Sequence, residues 1–374
     1  MGDIGGEQWD RLLKDCAYPY NPFVSYAFLD ALERSGSVAP ETGWAPMHIV
    51  LEHQGAIVAA APLYVKSHSQ GEYVFDHHWA DAYERAGGRY YPKLVCAAPF
   101  TPVPGPRLLA KDTATKRTLA AAIAQFAGQL GVSSLHANFI EPEDATLFEQ
   151  PLYMARTGTQ FHWRNRGYET FDDFLAALSS RKRKAVKRER RDALAAGLVI
   201  QRLRGDAITE RHWDAFWRFY QDTGARKWGQ PYLTRSFFSE IAETMRDDLL
   251  FIAAERNGMP VAGALNFIGG DALYGRYWGC TEHHPFLHFE VCYHQAVDFA
   301  IAEGLSRVEA GAQGEHKIAR GYEPVRTHSA HWIRDPSFRD AIDRYLENER
   351  VHGEAEIDVL SQYTPFKKGK NENT

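Results

Sequence analysis

The stretch FIAAERNGMPVAGALNFIG, residues 251–269, reads as two strands joined by a tight turn at Asn257-Gly258. Residues 48–66, HIVLEHQGAIVAAAPLYVK, carry the same pattern: Glu52, Gly55, Val58, Ala59 and Ala61 fall on Glu255, Gly258, Val261, Ala262 and Ala264. Matches continue outward from both hairpins. Ahead of each, Pro22-Phe23-Val24-Ser25 with Phe28 pairs with Pro231-Tyr232-Leu233-Thr234 with Phe237. After each, Phe75-Asp76-His77-His78-Trp79 pairs with Tyr274-Gly275-Arg276-Tyr277-Trp278. Gly131–Ala137 then pairs with Gly304–Ala310, where a helix gives way to a strand. Matches in one order predict two copies of one α/β unit, built as helix, hairpin, third strand, helix and strand. The expected division is 1–165 and 166–374, in keeping with a length of 374 residues.

Composition is that of an ordinary globular protein, 44% hydrophobic and 24% charged, and only the tail KKGKNENT reads as disordered. A net charge of −5 argues against the whole chain being a nucleic-acid binder. No apolar run is long enough to span a bilayer, and the N-terminus MGDIGGEQWD lacks the pattern of a signal peptide, so cytoplasmic residence is expected. The four cysteines match neither a zinc site nor a CxxC motif and are expected to be reduced. The copies differ most between Trp79 and Ala114, where the first carries APFTPVPGPRLL, whose prolines stiffen a loop that cannot be a central strand.

Chemistry concentrates in the second copy. Glu282, His283, His284, His288, Glu290, Glu309, Gln313, Glu315, His316, Lys317, Arg320 and His328 lie among aromatics, where titratable groups are tuned toward proton transfer near neutral pH. A zinc site from His283, His284, His288 and Glu290 is disfavoured, because Pro285 breaks the helix that would present them and HExxH is absent, so no metal is expected. Cys280 as a covalent nucleophile is also disfavoured, since no motif places a histidine beside it. Residues 171–194 read as one helix, amphipathic and then strongly basic: Arg181, Lys182, Arg183, Lys184, Lys187, Arg188, Arg190 and Arg191 stand against Glu189 alone. Like charges at i,i+4 oppose a helix, so an anion is the expected partner: cofactor phosphates, RNA, or an anionic membrane met by residues 181–191 at the inner membrane's surface. A solvated charged face is the alternative.

The order of elements, with the words YGRYWGCTEHHPFLHFEVCYHQ, VEAGAQGEHKIARGYEP and HSAHW, resembles the GCN5-related N-acetyltransferase (GNAT) fold, doubled as in the Fem family, and in particular the bacterial FemAB-like group of N-acyltransferases. The resemblance implies two tandem GNAT-like domains, mixed central sheets flanked by helices. It implies a splay of two strands between Tyr274–Cys280 and Arg307–Gly311, so that Arg276, Tyr277, Trp278 and Gly279 meet an acyl-CoA cosubstrate. The expected reaction joins an acyl group to an amine, a small one or an amino-lipid such as a sphingoid base. Glu309 or His288 is the expected base, Glu290 competes, and Tyr322 is the expected acid. His316, Lys317 and Arg320, with Arg181 and Lys184, are expected to meet phosphates or an acyl carboxylate. The usual Gly-rich phosphate loop is replaced by HHPFLHFE. Fem proteins also lack that loop and use aminoacyl-tRNA, so an aminoacyl-tRNA-dependent transferase is the second reading, with tRNA the less favoured partner. A non-catalytic recognition module is the third.

Overall fold

A computed structural model describes residues 1–148, 151–227, 231–311 and 314–367, so Gln313 and the tail from 368 lie outside the described residues. Two compact units emerge, and they are interleaved where a single boundary at residue 165 is expected. One comprises 1–159, 232–241 and 326–356; the other comprises 160–231, 242–325 and 357–374. The physical reason is strand length: Met154–Arg164 and Tyr322–Ile333 each run on from one unit into the other, and the final helix Pro336–Ser361 does the same.

Each unit is a mixed sheet with helices, of the α/β kind expected. In the first, Trp44–Pro46, Leu63–Lys66, Lys93–Cys96, Ser134–Ile140 and the later part of Tyr322–Ile333 are neighbours in that order. In the second the order is Met154–Arg164, Arg307–Glu309, Ala272–Cys280, Met259–Ile268, Leu249–Arg256 and Val199–Arg204. Both units hold one parallel pair with a helix in the crossover: Lys93–Cys96 beside Ser134–Ile140, and Ala272–Cys280 beside Arg307–Glu309. Both hairpins form, turning through left-handed residues Gln54-Gly55 and Asn257-Gly258. Ser25 caps Tyr26–Arg34, its Oγ accepting from Phe28 N at 3.3 Å.

The helix expected over 171–194 is two helices, Phe171–Ala177 and Ser180–Ala193. Leu178 between them is extended and fully buried, and the chain there is held by Pro365–Lys367: Ser179 N donates to Pro365 O at 2.9 Å, and Lys367 N donates to Ala177 O at 3.0 Å. Burying a leucine and forming two bridging bonds outweighs one more helical turn in a like-charged segment.

The helix Glu210–Lys227 lies directly on strand Ala272–Cys280 in the second unit. A Cβ on Gly279 would stand 2.4 Å from the Phe219 carbonyl oxygen, a backbone atom that cannot swing aside. Gly279→Ala is therefore expected to cost about 1–3 kcal/mol by overpacking, read as a lower denaturant midpoint at unchanged slope. Among the described residues, no helix is long and apolar enough to cross a membrane.

Candidate active site

The second unit's parallel pair is short. Ala272, Leu273 and Tyr274 stand opposite Arg307, Val308 and Glu309, and pairing stops there, although the first strand continues to Cys280. Among the described residues, Gly275–Cys280 therefore has one strand partner, Met259–Ile268, and the pairing there jumps from Leu265↔Tyr277 to Asn266↔Gly275. Arg276 is the extra residue of this bulge, and its guanidinium lies over the Tyr277 ring at 5.4 Å. A strand edge opens where Glu309 ends its own strand.

Glu309 is buried, its Oε1 accepting from Arg307 Nε at 2.9 Å. Arg307 also reaches Asp271 and donates to Tyr274 Oη at 3.3 Å; these partners raise its pKa against the burial that opposes charge. Among the described residues Glu309 Oε2 has no hydrogen-bond partner, and it lies 3.7 Å from Nε2 of buried His162. Burial depresses the His162 pKa, Glu309 opposes that, and Lys317 is among the cations that add to it. His162 was not legible as a site residue: it is one position in the strand Met154–Arg164, and the fold brings it opposite Glu309.

Lys317 completes the group. It lies on a 3-10 segment, Glu315–Arg320, followed by Gly321 at φ 91°, where a Cβ would come within 2.7 Å of the Phe174 ring, so only glycine turns the chain there. The segment sends His316 to the surface and Lys317 inward, 1% exposed. The Lys317 ammonium donates to Gly311 O at 2.9 Å and has no carboxylate within ion-pair distance among the described residues. Burial pulls its pKa down to about 8; Cys292 opposes this and Arg276 adds to it. It is thus a buried amine whose charged form the fold disfavours.

Two other expected residues hold the scaffold. Arg320 forms a bidentate pair with Glu189, at 3.1 and 2.7 Å, while its guanidinium stacks 3.4 Å over the Phe289 ring centre. Glu189 also meets His294 Nε2 at 3.1 Å, and these two partners lower its pKa against burial. Glu290 is fully buried in a π-helical segment, Glu290–His294, where Arg190 at 3.2 Å and Gln295 at 2.6 Å hold its carboxylate. Neither is placed as a free phosphate ligand or base. Tyr322, the expected acid, is a core residue: its hydroxyl is buried with no hydrogen-bond partner, and burial drives its pKa well above the phenol range.

His316, next to Lys317 in the chain, belongs to a cluster of aromatic rings. Tyr293 Oη lies 3.0 Å from His316 Nε2, the Tyr293 ring lies 5.3 Å from His288, and His288 lies 5.2 Å from Trp278. Tyr277 turns instead toward Tyr220, at 5.5 Å. A cleft of about 250 Å³ is lined by Thr223, Trp278, Cys280, Glu282, His283, His284, Leu287 and His288. Two of these, Trp278 and Cys280, come from the part of the strand beyond Tyr274. The fold also supplies what no motif announced: His283 Nδ1 stands 4.0 Å from Cys280 Sγ. Arg181 and Lys184 are exposed, on the outer side of the helix that Glu189 and Arg190 anchor. Among the described residues, no group of three or more His, Cys, Asp or Glu side chains could hold a metal ion.

Residues 1–368 match the FemAB-like model, described as peptidoglycan biosynthesis/recognition, and the chain belongs to that family. The fold is that of FemX, with a TM-score of 0.57 at 12% identity, covering 91% of this chain and 98% of that one. It is similar as well to the C-terminal domain of a putative lysylphosphatidylglycerol synthetase from Agrobacterium fabrum, with a TM-score of 0.54 at 10% identity over 91% and 96% of the two chains. L-PGS from Bacillus licheniformis gives 0.52 at 11% identity over 85% and 93%. No curated protein matches by sequence.

Proposed function

We propose that the second unit transfers an acyl or aminoacyl group from an activated donor to an amine, with Lys317 as the base. The observation that carries this is the end of strand pairing at Tyr274 and Glu309 beside a buried lysine that has no carboxylate partner. The strand runs on past its last residue paired with Arg307–Glu309, and through Trp278 and Cys280 it lines the cleft that takes the arm of a donor. The amine nitrogen attacks the donor carbonyl, a C–N bond forms, and the C–S bond of a thioester or the C–O bond of an aminoacyl ester breaks. Lys317 Nζ takes the proton leaving the amine, and the departing thiolate or alkoxide is protonated in turn. Glu309 Oε2, open where Oε1 is tied to Arg307, accepts a hydrogen bond from the incoming amine and orients it. His288, in the aromatic cluster, lines the cleft rather than standing beside Lys317's hydrogen-bonding atoms.

An acyl-CoA donor and an amino-lipid acceptor, as in ceramide-type N-acylation, form the first version; the mostly aromatic and apolar wall of Trp278, Leu287 and His288 supports it. Membership of the FemAB-like family supports an aminoacyl-tRNA donor equally. Incubating the protein with an acyl-CoA series and with charged tRNA, each over a pool of amines and amino-lipids, separates them. Amide products by mass spectrometry with one donor class assign it, and no amide with either class overturns the reading.

A further inference from the structure

We propose that the helix Ser180–Ala193, together with the turn that follows it, is a docking surface for an anionic lipid bilayer. Its five exposed cations, Arg181, Lys184, Lys187, Arg188 and Arg191, recur at three- and four-residue spacings, which puts them on one face of the helix along about 15 Å. Lys187 faces Asp172, and Arg191 pairs with its neighbour Asp192. Arg181, Lys184 and Arg188 have no carboxylate within ion-pair distance among the described residues. In a chain of net charge −5, this stripe is a local feature that calls for an anion.

The inward face explains why the stripe persists despite its repulsion. Val186 is buried, Glu189 is clamped by Arg320 and His294, and Arg190 is held by Glu290 and Asp298. The helix is fixed from behind, so its outward charge is held in place by contacts on the opposite face.

What selects a bilayer over a nucleic acid is the far end of the stripe. Leu194 falls three residues after Arg191 and seven after Lys187, on the same face, and it is 40% exposed. Ala195, Ala196 and Gly197 after it are exposed, and Val199 is 58% exposed. A basic stripe ending in an apolar tip matches lipid headgroups with acyl chains just beneath them. The same helix grips Arg320 and Glu290, which places the docked face one helix away from Lys317.

The test is flotation of the full chain with phosphatidylcholine vesicles, with and without phosphatidylglycerol, and in parallel anisotropy with a single-stranded RNA oligomer. Binding to the phosphatidylglycerol vesicles alone is expected, falling about a hundredfold in Arg181→Gln/Lys184→Gln/Arg188→Gln and reduced by high salt. Leu194→Ser is expected to weaken binding and to leave the salt dependence in place. All four positions are exposed, so the variants should melt as the wild type does, and transferase activity plays no part in the readout. Equal partition into neutral and anionic vesicles, tighter binding to the RNA than to vesicles, or no binding to either overturns the proposal.

Discussion

Lys317→Met is expected to lower kcat/KM by about 10²–10⁴-fold, the range for loss of a positioned general base. The sign of its pH dependence follows from the depressed pKa of about 8. Below that value the amine is protonated and cannot accept a proton, so the wild-type rate should rise with pH through about 8 and level off above it. Lys317→Met should lose that rise, and Lys317→Arg, which keeps the charge and cannot give up its proton, should be as slow as Lys317→Met. A structural role would be read differently. The folded-state pKa lies below the ordinary 10.5, so this lysine's contribution to stability is present above 10.5 and is lost as pH falls toward 8. Lys317→Met should remove that slope and melt no lower than wild type near neutral pH, since a buried group with one backbone partner is replaced by an apolar one. A variant that keeps wild-type turnover would assign the proton elsewhere, with Glu309→Gln the next to measure.

The largest stability effect is expected from Lys93→Met in the first unit. Lys93 is fully buried, donates to Glu72 at 2.9 Å and Ser69 at 2.8 Å, and is paired with Asp76. Asp76 in turn accepts from Tyr90 Oη at 2.7 Å and faces His136, whose Nδ1 lies 2.7 Å from His331 Nδ1. Removing the one cation that touches both carboxylates leaves two buried charges without it, a cost of about 3–5 kcal/mol. Burial holds the Glu72 pKa up at about 7, with Lys93 opposing, while Asp76 is held below the carboxylate range by Lys93 and His136 against its burial. For Glu72 the raised value means that stability present below about 4.5 is lost as pH climbs through 7. Asp76 acts oppositely: its contribution is present above 3.8 and lost as pH falls below that. Without Lys93 both carboxylates should titrate higher, so the deficit of the variant should be large at pH 8 and shrink toward pH 5. Urea denaturation at the two pH values reads this directly, and a deficit independent of pH would mean that packing rather than charge is what Lys93 supplies.

This network occupies, in the first unit, the place where the second has its reaction group. His136 and Glu309 are matched by the repeat, and each stands on the second strand of its unit's parallel pair. Burial presses the His136 pKa down to about 3, with Lys93 adding and Asp76 opposing. In the first unit Lys93 meets two carboxylates, whereas in the second Lys317 donates to a carbonyl, that of Gly311.

Much of this was legible locally. The hairpins, the crossover helices and the Ser25 cap follow from alternation, turn residues and short-range hydrogen bonds, all of which act within a few residues. The break at Leu178 was not, because its cause is a pairing with residues near 365 that no window of sequence contains. The candidate site divided the same way. Its neighbourhood was visible as a density of polar groups among aromatics, whereas the roles of Glu290, Arg320 and Tyr322 depended on partners far along the chain.

The sequence by itself determined that two α/β units exist, that the later one carries a dense group of titratable side chains among aromatics, and that residues 181–191 carry a dense positive charge, since each is a matter of periodicity or count. Only the tertiary structure decided which of those side chains are tied up and which are free to react. Glu189 lies 131 residues from Arg320, and His162 lies 147 from Glu309, separations that follow from their numbering. The pKa of Lys317 is set by how much water the fold removes from around it, and removal of water is a property of packing that composition cannot report.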